Sequence, residues 1–300
     1  MKVAIVQTKP RKGDFEGNLT QLGETFAQLA NDEVRGAPDL IVLPEAALTG
    51  YFLEGAVYDL AMRAEQAAAS IAGAWRTAAG KRRADIAFGF YENDAGTYYN
   101  AALYLTVDGR SHEIVHVHRK MFLPTYGVFD EERFLSRGRS LVAFDTAHGR
   151  MAILICEDAW HSIMPTLAAV KGAQILLVPS ASPGRGLAGD GELESVEHWH
   201  NALRLHAAEH GVYIVYAGLA GFEGGKGMTG SSCIVNPRGE RPVCAPLLGA
   251  HIVRGEIDLG EVDLARANLP LLGDLEAVLP DLFFDPSLPI TRDGRVRPRA

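Results

Sequence analysis

Leu40-Ile41-Val42-Leu43-Pro44-Glu45 sets four consecutive apolar residues ahead of a proline and a carboxylate. The run is too short for a helix, and unbroken apolarity suits a strand covered on both faces. Ile175-Leu176-Leu177-Val178-Pro179 repeats the pattern in the second half. Each run follows a helical stretch, about 18–29 in one case and 164–171 in the other. Strand-like runs recur at 3–7, 86–91, 98–105, 113–118, 141–144, 151–156, 213–217, 231–235 and 249–257, with helices at 57–79 and 194–210. Strands alternating with helices give an α/β fold. The strand-only stretch in the middle adds antiparallel ribbons, so the sheets are mixed with helices packed outside. No Pro/Ser-rich linker divides the pattern, which predicts one domain. From about Leu264 the pattern thins, and 291–300 is a polar tail with four arginines that reads as a solvated or partner-bound terminus.

Composition narrows the function classes. Of 300 residues, 29 are Lys or Arg and 37 Asp or Glu, so the net charge is 29 − 37 = −8. An acidic chain is a poor partner for a polyanion, and no nucleic acid is expected. No stretch approaches the ~20 apolar residues of a membrane span. Met1-Lys2 runs directly into a strand without a signal-like segment, so a cytoplasmic location is expected. Three cysteines, an odd number without paired spacing, argue against a disulfide framework and for a reducing compartment.

Two apolar strands end in reactive side chains, Glu45 after Leu43-Pro44 and Cys156 after Leu154-Ile155. In open α/β sheets, ligands bind at the carboxyl ends of strands. The two could therefore share one crevice. Taken singly, Glu45 is equally a helix N-terminal or surface acid, and Cys156 a small buried hydrophobe.

A third segment, Arg119-Lys120-Met121-Phe122-Leu123-Pro124, makes the set resemble the nitrilase, or carbon–nitrogen hydrolase, superfamily. Its members carry a glutamate at a Leu-Pro-Glu strand end, a lysine in Arg-Lys-x-x-Leu-Pro, and a nucleophilic cysteine before an acid. Glu45, Lys120 and Cys156 match in that order. The resemblance implies a four-layer α-β-β-α sandwich and cleavage of a non-peptide C–N bond of a small amide through a cysteine thioester. It implies Glu45 as general base, Lys120 and the Glu157 backbone N–H as oxyanion donors, and no cofactor or metal. Of the adjacent acids Glu131 and Glu132, register with Arg133 and Phe134 selects Glu131 to orient Lys120 and the leaving amine. Tyr126 and Ser182 are implied as substrate contacts, or else as turn and packing residues.

The wording around the cysteine, with 124–131 and 180–183, is most similar to the glutaminase domain of glutamine-dependent NAD synthetases. A chain of this length is expected to lack the synthetase part. Alternatives are a nitrilase, an N-carbamoyl amide hydrolase, or a catalytically silent binding protein. The resemblance further implies a hydrolase domain over 1–263, an extension over 264–300, and a homodimer or higher homo-oligomer. The segment 264–285 is expected to lie extended on a partner.

Other patterns read as incidental. His206-Ala207-Ala208-Glu209-His210 fits an inverted zincin motif but reads as helix-surface or capping histidines. Gly184–Gly189 and Gly225–Gly230 fit G-x-G-x-x-G without the acidic strand end or following helix that a dinucleotide site needs. His116 and His118 share a strand face expected to be polar. Cys233 and Cys244 are expected to be packing residues.

Overall fold

Alternate residues of the first strands enter different cores in the computed structural model, which describes residues 1–186 and 193–285. Val3, Ile5, Leu40 and Val42 join one core, while Ala4, Val6, Ile41 and Leu43 join another. That is the period-two signature of strands buried on both faces. The chain runs β1 (Lys2–Gln7), α1 (Phe15–Ala30), β2 (Leu40–Val42), α2 (Val57–Leu60), α3 (Ala64–Ala79), β3 (Ala84–Asp94), β4 (Thr97–Val107) and β5 (His112–Arg119). It continues through β6 (Ala143–Thr146), β7 (Gly149–Ile153), α4 (Ile163–Val170), β8 (Ile175–Ser180), α5 (Glu194–His210), β9 (Tyr213–Gly218), β10 (Ala220–Glu223) and β11 (Lys226–Thr229). The last elements are β12 (Cys233–Val235), β13 (Val243–Cys244), β14 (His251–Glu256), α6 (Leu259–Asn268) and α7 (Leu271–Phe284).

Sheet one has the order β14-β1-β2-β3-β4-β5 and sheet two β13-β12-β9-β8-β7-β6. Each has three parallel strands at its centre, β1-β2-β3 and β7-β8-β9, flanked by antiparallel neighbours. The inner faces of both sheets share one core, which also takes in Trp199 and Leu203 of α5 and Ala168 of α4 behind sheet two. Behind sheet one, Leu22, Phe26 and Leu29 of α1 meet Ala67, Ile71 and Trp75 of α3. The result is the four-layer α-β-β-α sandwich.

Three segments depart from the sequence expectations. The helix over 57–79 is broken: Ala61 is extended, and Met62 donates to Tyr91 O and accepts from Asn93 N. This bridge satisfies backbone groups of β3 beyond the end of β2. The segment 264–285 is helical rather than extended. Pro270 separates α6 from α7, and Arg266 Nη2 donates to Ala173 O at 2.9 Å, tying the segment to its own domain. The expected boundary at 263/264 falls inside α6, whose Val262 is fully buried in the core. The tail 291–300 lies outside the described residues.

Candidate active site

Glu45 lies just beyond β2, where the chain turns through Ala46 at a positive φ of 52°. The turn is pressed against β3 at Gly89. A Cβ there would stand 2.5 Å from Glu45 Cα, so only glycine admits this approach. Glu45 is fully buried, and its carboxylate is saturated with donors. Oε1 accepts from Asn100 Nδ2 at 2.7 Å and Lys120 Nζ at 2.8 Å, while Oε2 accepts from Ala181 N at 2.7 Å.

Lys120 follows the last residue of β5. Its N–H donates to Asn100 O and its carbonyl accepts from Gly138 N, which fixes the backbone on both sides. Its ammonium, without solvent exposure, also reaches Glu131 Oε1 at 2.6 Å. Burial alone would pull the ammonium down, but Glu131 and Glu45 outweigh it and hold the group above its ordinary value. Glu131 moves the other way. Burial first, and the Glu45 charge in addition, raise its carboxyl to about 7 against the pull of Lys120. Two acids around one cation in a dry site cannot both ionise at low cost. Tyr51 Oη donates to Glu131 Oε1 as well, leaving Oε2 buried with no partner.

Cys156 begins a 3-10 turn three residues past the end of β7, with φ at 44°. A non-glycine residue in that region carries roughly 1–3 kcal/mol of strain and persists only where its surroundings over-determine it. Ser180 Oγ, at the end of β8, donates to Cys156 Sγ at 3.3 Å. Burial, then repulsion from Glu45, push the thiol far above its usual value despite Lys120. Both effects favour the protonated Cys156 thiol over its thiolate. Its sulfur and Glu45 Oε2 both face the Ala181 N–H.

Asp158 ties the Cys156 turn to the lysine segment. Its Oδ1 accepts from Met121 N and Phe122 N, each at 3.0 Å. Its Oδ2 accepts from Ile155 N at 3.1 Å and meets His118 Nε2 at 3.0 Å.

A sequence model of the carbon-nitrogen hydrolase family matches residues 2–267. The chain belongs to that family. It is 30% identical over 261 residues to a glutamine-dependent NAD(+) synthetase of Thermotoga maritima, covering 87% of this chain and 42% of that one. It is 26% identical over 289 residues to a citrullinase of Francisella tularensis, covering 94% and 97%. A carbon-nitrogen hydrolase from Helicobacter pylori superposes with a TM-score of 0.83 at 24% identity, over 95% of this chain and 99% of that one. The chain spans under half the length of the first synthetases it matches, at 42% and 44%.

In this carbon-nitrogen hydrolase, Glu45, Lys120 and Glu131 meet in one hydrogen-bonded cluster, with Cys156 beside it. Glu132, the alternative acid, is exposed. Tyr126 lies at the rim, 44% exposed, with Oη donating to Glu157 Oε2 at 2.9 Å. Ser182 is buried. Its carbonyl accepts from Thr229 N and Oγ1, while Ser180 is the serine that touches Cys156 Sγ. Sequence reasoning also passed over Asn100, Tyr51 and Asp158. Asp158 offered one signal, as the second of two consecutive acids after the cysteine.

The incidental patterns are corrected in part. His206 and His210 are buried rather than on the helix surface, because that face of α5 packs on α4 and the Cys156 turn. Donor atoms of His206, Glu209 and His210 lie within 4.8 Å of one another. His116 and His118 face the other sheet instead of solvent, with His116 stacked on Phe144. Gly224 and Gly225 form the β10–β11 turn. Positions 187–189 of the other glycine pattern lie outside the described residues. Among the described residues no helix is long and apolar enough to cross a membrane.

Proposed function

We propose that the chain hydrolyses the terminal amide of a small amino-acid-like substrate through a Cys156 thioester. The observation that carries this reading is the Glu45–Lys120–Glu131 cluster set against a buried thiol. Because burial holds the thiol protonated, attack and proton loss are coupled. Glu45 Oε2, which has one donor where Oε1 has two, receives the proton. The tetrahedral species carries its charge toward Lys120 Nζ and the Glu157 N–H. Glu45 returns the proton to the departing nitrogen, and Glu131 Oε2 is the open acceptor for its N–H bonds. Water activated by Glu45 then cleaves the thioester.

The rim supports a zwitterionic head group. Glu157 offers a carboxylate, and the Arg185 guanidinium lies 5.4–5.8 Å from the ring centres of Tyr126, Phe129 and Trp160. Its Nε is buried without a partner. Such a pair suits an α-ammonium and an α-carboxylate. A ureido group in place of the amide is the second reading, favoured by the near full-length likeness to a citrullinase. Ammonia release across amino-acid amides, their des-amino analogues, nitriles and ureido compounds tests both. Equal rates with and without the zwitterion would remove the rim assignment, and nitrile turnover alone would remove the amide.

The reading extends to assembly. Leu264, Leu269, Leu271, Val278, Leu282 and Phe283 on or beside α6 and α7 are each at least 41% exposed, and a second copy of the chain is proposed to cover them. Light scattering at the monomer mass would contradict it.

A further inference from the structure

β12 and β13 pair antiparallel with Cys233 directly opposite Cys244. Ala245 N donates to Ser232 O at 2.7 Å, so the flanking 232/245 pair is the hydrogen-bonded one. The cysteines therefore occupy the closer, non-hydrogen-bonded position, where Cα atoms stand about 4.5 Å apart. A disulfide spans Cα separations of roughly 4.4–6.8 Å. Both thiols are free; Cys233 is fully buried and Cys244 exposed.

The two differ in chemistry as well as in access. A hydrogen bond from the Cys233 thiol pulls Cys244 down to about 7 against its partial burial, and Arg241 assists. Accepting that role, and being buried, Cys233 keeps its proton. One sulfur is thus presented to solvent as a ready thiolate, with a second directly behind it to resolve a mixed disulfide. Neither belongs to the reacting centre, since β8 and β9 separate β12 from β7.

We propose that Cys233 and Cys244 form a redox modification site, converted by a small-molecule disulfide into a cross-strand disulfide ahead of any modification of Cys156. With oxidised glutathione, the Cys244 thiolate attacks one sulfur, forming a mixed disulfide and expelling glutathione thiolate. Cys233 then gives up its proton, and its sulfur attacks Cys244 Sγ to expel the second glutathione thiolate. Two electrons pass from the cysteine pair to glutathione disulfide, and the protein loses two hydrogens. Excess thiol reverses the sequence.

The test incubates the full chain with oxidised glutathione at neutral pH, alkylates the remaining thiols, and digests with trypsin without reduction. Arg238 lies between the two cysteines, so they fall on separate peptides held together only by the new bond. The expected result is a protein lighter by two hydrogens before alkylation, a linked Cys233–Cys244 peptide, and Cys156 still open to alkylation. Cys244→Ser should show no mass change. Cys233→Ser should retain one glutathione on Cys244; Cys233→Ala serves if that variant does not fold. Stable glutathione on wild-type Cys244 with Cys233 still alkylated would overturn the proposal, as would modification of Cys156 first.

Discussion

Sheet one and sheet two deliver their reactive groups to the site by different means. On sheet one the charged side chains are held by partners: Glu45 accepts three donors, and Lys120 is clasped by two carboxylates. On sheet two the thiol is held by backbone, through the left-handed φ of Cys156, with only the Ser180 hydroxyl and the Ala181 N–H turned toward its sulfur. The contrast follows from the chemistry of the groups. A charge removed from water needs fixed partners or it neutralises, whereas a thiol forms only weak hydrogen bonds and can be aimed only by the chain that carries it. Asp158 joins the two systems.

Breaking each side separately should give graded losses. Cys156→Ala removes the proposed nucleophile, and ammonia release should fall to background while circular dichroism stays unchanged. Lys120→Ala should lower kcat by at least ~10²–10³ through loss of the proposed oxyanion donor. It should also cost about 3–5 kcal/mol of stability, because two buried carboxylates lose their cation. A variant with wild-type kcat would show that the sheet-one cluster is structural only.

The link between the sheets comes next in size. Asp158→Asn keeps the shape but leaves an amide where His118 and three backbone N–H groups need acceptors. A loss of roughly 1–3 kcal/mol in chemical denaturation is expected, with kcat reduced more than KM is raised. A change in KM alone would place Asp158 outside the alignment of the two sheets.

Protonation sharpens the sheet-one side further. The Glu131 carboxyl lies at about 7 in the fold against an ordinary 4.5. A group raised on folding contributes stability that is full below its unfolded value and is lost as pH rises through its folded value. Stability should therefore decline between about pH 4.5 and 7, and Glu131→Gln should flatten that decline in melting curves. An unaltered profile would contradict the buried two-acid cluster. Smallest of all, Tyr126→Phe at the exposed rim should raise KM severalfold with kcat little changed.

The strand-end groups of both sheets were legible in the sequence, and the residues that hold them were not. Short apolar runs ending in Glu45 and Cys156 announced the layers and two of the reactive groups, because strand burial and strand-end chemistry are local, while Lys120 was picked out by its Arg-Lys-x-x-Leu-Pro wording. The helix break at Met62 and the folding back of α7 depend on distant partners, β3 and the α4–α5 face, that no local window contains. Asn100, Ser180 and Tyr51 are ordinary residues in their own segments and acquire meaning only where strands far apart in sequence converge. The Cys233–Cys244 pairing is likewise a matter of register, invisible without the ladder.

The central claim is that Glu45 from one sheet activates Cys156 from the other toward an amide carbon. Acid quenching of the enzyme with an amide substrate, followed by intact-mass analysis, reads this directly. Wild type should gain the acyl mass on Cys156, and the same adduct should trap as a hydroxamate with hydroxylamine. Glu45→Gln should remain unmodified over the same time. Acylation of Glu45→Gln at the wild-type rate, or an acyl group on a residue other than Cys156, would contradict the account.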